Sequence, residues 1–187
     1  MQEPAEVIRH HHAELRLKLR AHLRAASRGA SQEEARAFVA FLQEELLPHA
    51  AGEERAFYPA LDGLLRAHGR PTRTMRLDHR RIATYVAQLS RISRRTSASP
   101  DVEDADRTYD ARFRDLSREL GALLDLHFEK EEAVYLPLFE RYLPARGQRE
   151  VLSRMHEAPG PLVRSRRRLP KGGRSTARAE EPPGRSR

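Results

Sequence analysis

The chain has 187 residues, no Cys and no Trp, and 35 Lys and Arg against 27 Asp and Glu, a formal charge of +8. That length fits one domain with a tail and can bury roughly 70% of the unfolded chain's surface without a covalent staple. Absence of Cys excludes disulfides, thiolate metal sites, iron–sulfur clusters and thiol nucleophiles. No apolar run nears the ~18 residues of a membrane span and the N-terminus has no leader pattern, so a soluble cytoplasmic protein is expected.

The charge is uneven. Residues 159–187 hold nine Arg or Lys and two Glu, a net of +7, which leaves about +1 for residues 1–158. Two regions are therefore expected: a near-neutral folded domain over 1–158, and a basic Arg/Pro/Gly-rich tail over 159–187. The tail has no apolar period to offset its ordering entropy and reads as disordered. It could contact nucleic acid or an anionic partner weakly, in a salt-dependent way, but it has no aromatic residue to stack on bases.

Four segments show helical periodicity. The first runs from about Pro4 to Ala26, with Ile8, His12, Leu15, Leu19 and Leu23 on one stripe. Ser31 to Glu34 forms a capping-box pattern that opens the second, whose stripe is Phe38, Leu42, Leu46, His49, Glu53 and Phe57. Arg70-Pro71-Thr72 opens the third, with Met75, His79, Ile82, Val86 and Leu89, and Ser97 to Pro100 reads as a loop. The fourth carries Tyr109, Phe113, Leu116, Leu120, Leu124, His127, Glu131 and Leu138. Four such helices with short connections predict an all-α, up-down-up-down four-helix bundle, and a short extra helix is expected over Ala145 to Glu157. Pro59 and Pro137 are expected to kink or break helices two and four.

Each stripe has a His where a Leu would be expected. His49 is followed by Glu53, Glu54 and Pro59, and His127 by Glu131, Glu132 and Pro137, at matching intervals of +4, +5 and +10. Residues four apart share a helix face, so each pair aims an imidazole and a carboxylate at one point. Within His10-His11-His12, only His12 has the apolar offsets that surround His79: Ile8, Leu15 and Leu19 match Met75, Ile82 and Val86. The chain thus repeats a lone His followed by a His-xxx-Glu pair. A buried carboxylate is costly unless paired or metal-bound, and mixed imidazole and carboxylate ligands suit iron, manganese or zinc rather than calcium or magnesium. Six ligands suit two ions with bridging carboxylates and a solvent-derived oxygen.

At these residues the sequence resembles the hemerythrin-like, or HHE cation-binding, domain over roughly Val7 to Leu143. The resemblance implies a bundle around two iron ions with an oxo or hydroxo bridge, manganese or zinc fitting the same ligands. The ligands implied are His12, His49, Glu53, His79, His127 and Glu131, with Glu53 and Glu131 as bridges. Oxygen-carrying hemerythrins have a second His four residues after the first on the third helix, where this chain has Ala83, and HxxxxD on the fourth, where it has HxxxE. One iron is then less saturated by protein. That implies binding of oxygen, nitric oxide or peroxide at an open position, for sensing, storage or detoxification. The alternatives are a di-iron enzyme that decomposes peroxide or reduces nitric oxide, and an iron-sensing interaction module. Pro48 and Gly52 flank His49, and Pro48 removes a helix hydrogen bond there. His10, His11, His22, His68 and His156 are expected at the surface. Glu54 and Glu132 fall about 140° off the stripe and read as solvated or as partners of the ligands. Tyr58, Tyr85 and Tyr135 read as core, with an oxygen pocket as the alternative.

Overall fold

The computed structural model describes residues 3–95 and 103–157. Among these all regular structure is helical. The first helix, α1, is Pro4–Ser27, with Pro4 at its start, where a missing N–H costs nothing. Ser31 and Glu34 then form the reciprocal capping box, at 3.2 and 2.8 Å. From it run three α-helical stretches, Gln32–Phe41, Leu47–Gly52 and Tyr58–Leu64, joined end to end by π turns at Leu42–Leu46 and Glu53–Phe57. Together they form one rod, α2. After a 3₁₀ turn at Arg66–His68 comes α3, Arg73–Arg95. Asp62 secures its start by accepting from the Thr72 backbone N–H at 3.2 Å and hydroxyl at 2.8 Å. A second rod, α4, comprises Glu103–Lys130, a π turn at Glu131–Tyr135, and Leu136–Tyr142. The expected short helix is present as α5, Ala145–His156.

The prolines do not break the rods. Pro48, Pro59 and Pro137 each lie two residues past a π turn, at the start of the next α-helical stretch. A proline inside an α-helix lacks an N–H and collides with the carbonyl four residues back. The π turn adds a residue at that point. The N–H groups of Leu47, Tyr58 and Leu136 bond five residues back instead, to the carbonyls of Leu42, Glu53 and Glu131. The expected kinks at Pro59 and Pro137 are therefore replaced by continuous helices with one widened turn.

Each long helix packs on two others: α1 on α2 and α4, and α3 on α2 and α4. The apolar interior falls into two clusters. One contains Leu15, Leu19, Phe38, Leu42, Ile82, Val86, Phe113, Leu120 and Phe128. The other contains Ile8, Phe57, Tyr58, Leu61, Met75, Leu136, Phe139, Val151 and Met155. In every long helix the His of the stripe falls between residues of the two clusters, so a polar layer separates two apolar plugs. The expected loop at 97–100, the side chain of Tyr109 and the tail over 159–187 lie outside the described residues. No described helix is long and apolar enough to cross a membrane.

Helix α5 docks beside the layer. A Cβ on Gly52 would lie 2.6 Å from the Met155 carbonyl oxygen, so only glycine admits this approach. Arg55 donates to the carbonyls of Arg154, Met155 and Glu157 at 3.1, 3.0 and 2.7 Å, closing the C-terminal end of α5.

His22, expected at the surface, is half-buried against Phe38 and Phe41, with ring centroids 5.1 and 5.3 Å away. Burial lowers its pKa against the opposing pull of Glu45. With the folded pKa below the ordinary ~6.5, the folded state binds fewer protons than the unfolded chain as pH falls through that range. The stability from the neutral ring is thus present near neutrality and lost in acid. His22→Leu should make the melting temperature fall less than that of the parent between about pH 7 and about pH 5, as thermal melts would show.

Candidate metal centre

The polar layer holds all six residues singled out from the sequence. His12 comes from α1, His49 and Glu53 from α2, His79 from α3, and His127 and Glu131 from α4. None of their side chains is more than 7% exposed. Two groups of donor atoms form within this layer: His12, His49, Glu53 and Glu131, and Glu53, His79 and His127, each compact enough to hold a metal ion. Glu53 belongs to both.

The spacings fit ligands around common points. His49 Nε2 is 2.9 Å and His12 Nε2 3.5 Å from Glu53 Oε1, and the two Nε2 atoms are 3.1 Å apart. On the other side His79 Nε2 is 3.3 Å from Glu53 Oε2 and 3.1 Å from His127 Nε2. Two ligands at ~2.0–2.2 Å from one ion and about 90° apart are about 3 Å from each other. Both Glu53 oxygens and Glu131 Oε2 are buried without a hydrogen-bond partner. Buried carboxyl oxygens left without a well-formed hydrogen bond cost on the order of 1–3 kcal/mol per group, which the imidazoles 2.9–3.5 Å from Glu53 offset only in part. A cation answers that cost, and the donor set fits one.

Electrostatics separate the two carboxyls. Burial opposes charge on Glu53, but His49, His12 and His79 outweigh it and hold its pKa well below the usual carboxylate range. Burial, then the neighbouring Glu53 charge, push Glu131 well above that range. His127 is lowered to about 4, chiefly by burial, so its ring is neutral and free to donate a lone pair. Burial also pulls His79 down, yet Glu53 and Glu54 more than reverse it and its pKa is raised.

Several contributors carry no signal in the ligand spacing. Tyr58 donates to Glu131 Oε1 at 2.6 Å, and its oxygen is 3.2 Å from His79 Nε2. Burial, then Glu53 and Glu131, raise its pKa and keep the phenol protonated. The repeat places Leu136 at the corresponding position, so nothing in the spacing sets Tyr58 apart from core. Tyr85 and Tyr135 do not enter the layer and bond instead to Glu119 and to the Pro71 carbonyl, both at 2.9 Å.

A ring of acceptors surrounds the imidazoles. Glu132 Oε1 is 3.2 Å from His12 Nδ1, Glu54 Oε1 3.1 Å from His79 Nδ1, and Asp78 Oδ2 3.4 Å from His127 Nδ1. Glu54 and Glu132 thus reach across to the lone His of the opposite half, the second of the two readings open for them. The signal for this pairing is their shared +5 position in the two motifs. Contacts of this kind fix the tautomer and aim Nε2 inward. His49 instead meets the half-exposed ring of His11, centroids 4.8 Å apart, so His11 is not a plain surface residue. His10, His68 and His156 are exposed as expected. Ala83 is also exposed, and the second group has three donors against four in the first.

The family model described as the hemerythrin HHE cation-binding domain matches residues 3–90 and 70–182. No curated protein and no solved structure matches the chain. Each matched stretch contains a lone His and a His-xxx-Glu pair converging on the layer described above, and the chain belongs to the hemerythrin HHE cation-binding domain family.

Proposed function

We propose that the layer holds two iron ions, one by His12, His49, Glu53 and Glu131 and the other by Glu53, His79 and His127. The observation that carries this reading is Glu53, fully buried, with both oxygens free of hydrogen bonds and facing opposite groups. Glu131 Oε2, 3.5 Å from His12 Nε2 and 3.8 Å from His127 Nε2, would complete the four donors of the first ion in this reading. The up-down-up-down order of the long helices belongs to the same proposal. It is supported by their ring of mutual contacts and by the alternating order in which they traverse the two apolar clusters.

When bound, an iron pair with one position short of protein ligands supplies a place for a small ligand such as oxygen, nitric oxide or peroxide. The chain's own residues shape that place. Tyr58 stands on the side of His79, where the protein offers three donors, and presents a protonated hydroxyl there. The apolar plugs above and below exclude water. Binding a small ligand for sensing, storage or detoxification is the function this arrangement fits best. Tyr58 also favours a second reading, catalytic peroxide decomposition, because a buried proton donor beside an open position assists cleavage of an oxygen–oxygen bond.

Ferrous reconstitution without oxygen, followed by desalting and metal analysis, should give about two irons per chain. His127→Ala should lose the second ion, about half of the metal, Glu131→Ala at least as much, and His156→Ala none; a full complement in His127→Ala would refute the assignment. Glu131→Gln should leave the metal-free protein's unfolding free energy within about 1 kcal/mol of the parent, because burial and the neighbouring Glu53 charge favour the neutral carboxyl, which Gln mimics while keeping the acceptor for Tyr58. Urea unfolding checks that outcome, and the same variant should bind less iron. Peroxide turnover by iron-loaded protein that drops in Tyr58→Phe would favour the second reading, and absence of turnover would leave the first.

A further inference from the structure

The two halves agree at their ligand-type residues and differ one residue away. Before the lone His stands His11 in the first half and Asp78 in the second; before the paired Glu stand Gly52 and Lys130. Asp78 and Lys130 form an ion pair, and Asp78 Oδ2 lies 3.4 Å from His127 Nδ1. The first half cannot copy this arrangement. A side chain at position 52 would run into the Met155 carbonyl of α5, and among the described residues no helix takes the corresponding place beside the second half. His11 therefore faces His49 where an Asp–Lys pair faces His127.

The negative charge is distributed unequally as a result. The first group has two carboxylates among its donors, Glu53 and Glu131, whereas the second has Glu53 alone. Behind the imidazoles the order reverses. The first group has only Glu132, whose charge is answered by Arg16 Nη1 at 2.8 and 2.9 Å. The second has Asp78, answered by Lys130, and in addition Glu54, whose carboxylate has no Lys or Arg ion pair among the described residues, Arg76 reaching only its backbone carbonyl at 3.4 Å.

Building on the metal reading above, we propose that Asp78 and Glu54 are positioning residues specific to the second position. Their carboxylates, acting through His127 and His79, replace the charge that this position lacks among its direct donors. Removing an acceptor behind a metal-bound imidazole typically costs about 10–100-fold in metal affinity. The cost should fall on one ion only.

The test is titration of the full-length metal-free protein with cobalt(II), without oxygen, followed by visible absorption. The parent should take two ions. Asp78→Asn should weaken one step by about 10–100-fold and leave the other within about threefold. Glu54→Gln should weaken the same step, and Asp78→Glu should restore most of the loss. In a His49→Ala background, where the second position remains, the Asp78→Asn effect should persist; in a His127→Ala background it should vanish. A merely structural role would weaken both steps together. Equal weakening of both, or no weakening in a parent that takes two ions, would overturn the inference while leaving the metal reading intact. A parent that takes up no cobalt removes the metal reading and this inference with it. Should Asp78→Asn fail to fold, Glu54→Gln reads the same step.

Discussion

Two carboxyl groups, Glu53 and Glu131, lie at the centre of an apolar bundle, and the surrounding structure depends on how their polarity and the charge on Glu53 are met. Glu53 and Glu131 are fully buried, three of their four oxygens lack a hydrogen bond, and the fourth is taken by Tyr58. Left alone, such a layer is a weak point between two plugs that would pack better with Leu in its place. Four imidazoles from four helices, each with Nε2 directed inward, give the layer a donor set that fits a cation. In the proposed reading the energetic fault and the function are the same feature.

Backbone and packing serve that layer. The π turns at Glu53–Phe57 and Glu131–Tyr135 begin at the two Glu residues and let the rods continue through Pro59 and Pro137. Both apolar clusters are thereby attached to the same helices as the ligands, which a broken rod would not do. Helix α5 imposes the main departure from twofold repetition. Its carbonyl against Gly52 and its capping by Arg55 occupy the first half's flank, and the second half's flank carries Asp78 and Lys130 instead. A repeat that supplies equal ligands thus ends in unequal surroundings.

Much of this was legible in the sequence because it rests on helical period. The six layer residues, the identity of His12 within His10-His11-His12, the capping box at Ser31 and the short final helix all follow from spacing alone. The effect of the prolines was not legible, since Pro inside a helical pattern predicts a break, and a widened turn depends on the packing on both sides of it. Tyr58 was hidden because its hydroxyl enters the layer from a position that the other half fills with Leu136. Asp78 and His11 were hidden because their partners lie on neighbouring helices. His22 read as surface because its contacts, Phe38 and Phe41, become visible only when α2 is laid against α1.

The central claim is that one carboxylate, Glu53, is shared by two ions. A crystal structure of the iron-loaded protein, with anomalous data at the iron edge, tests it most directly. The account predicts two anomalous peaks ~3.5–4 Å apart, one on each side of the Glu53 carboxylate. A single peak, or two peaks that do not both contact Glu53, would contradict it.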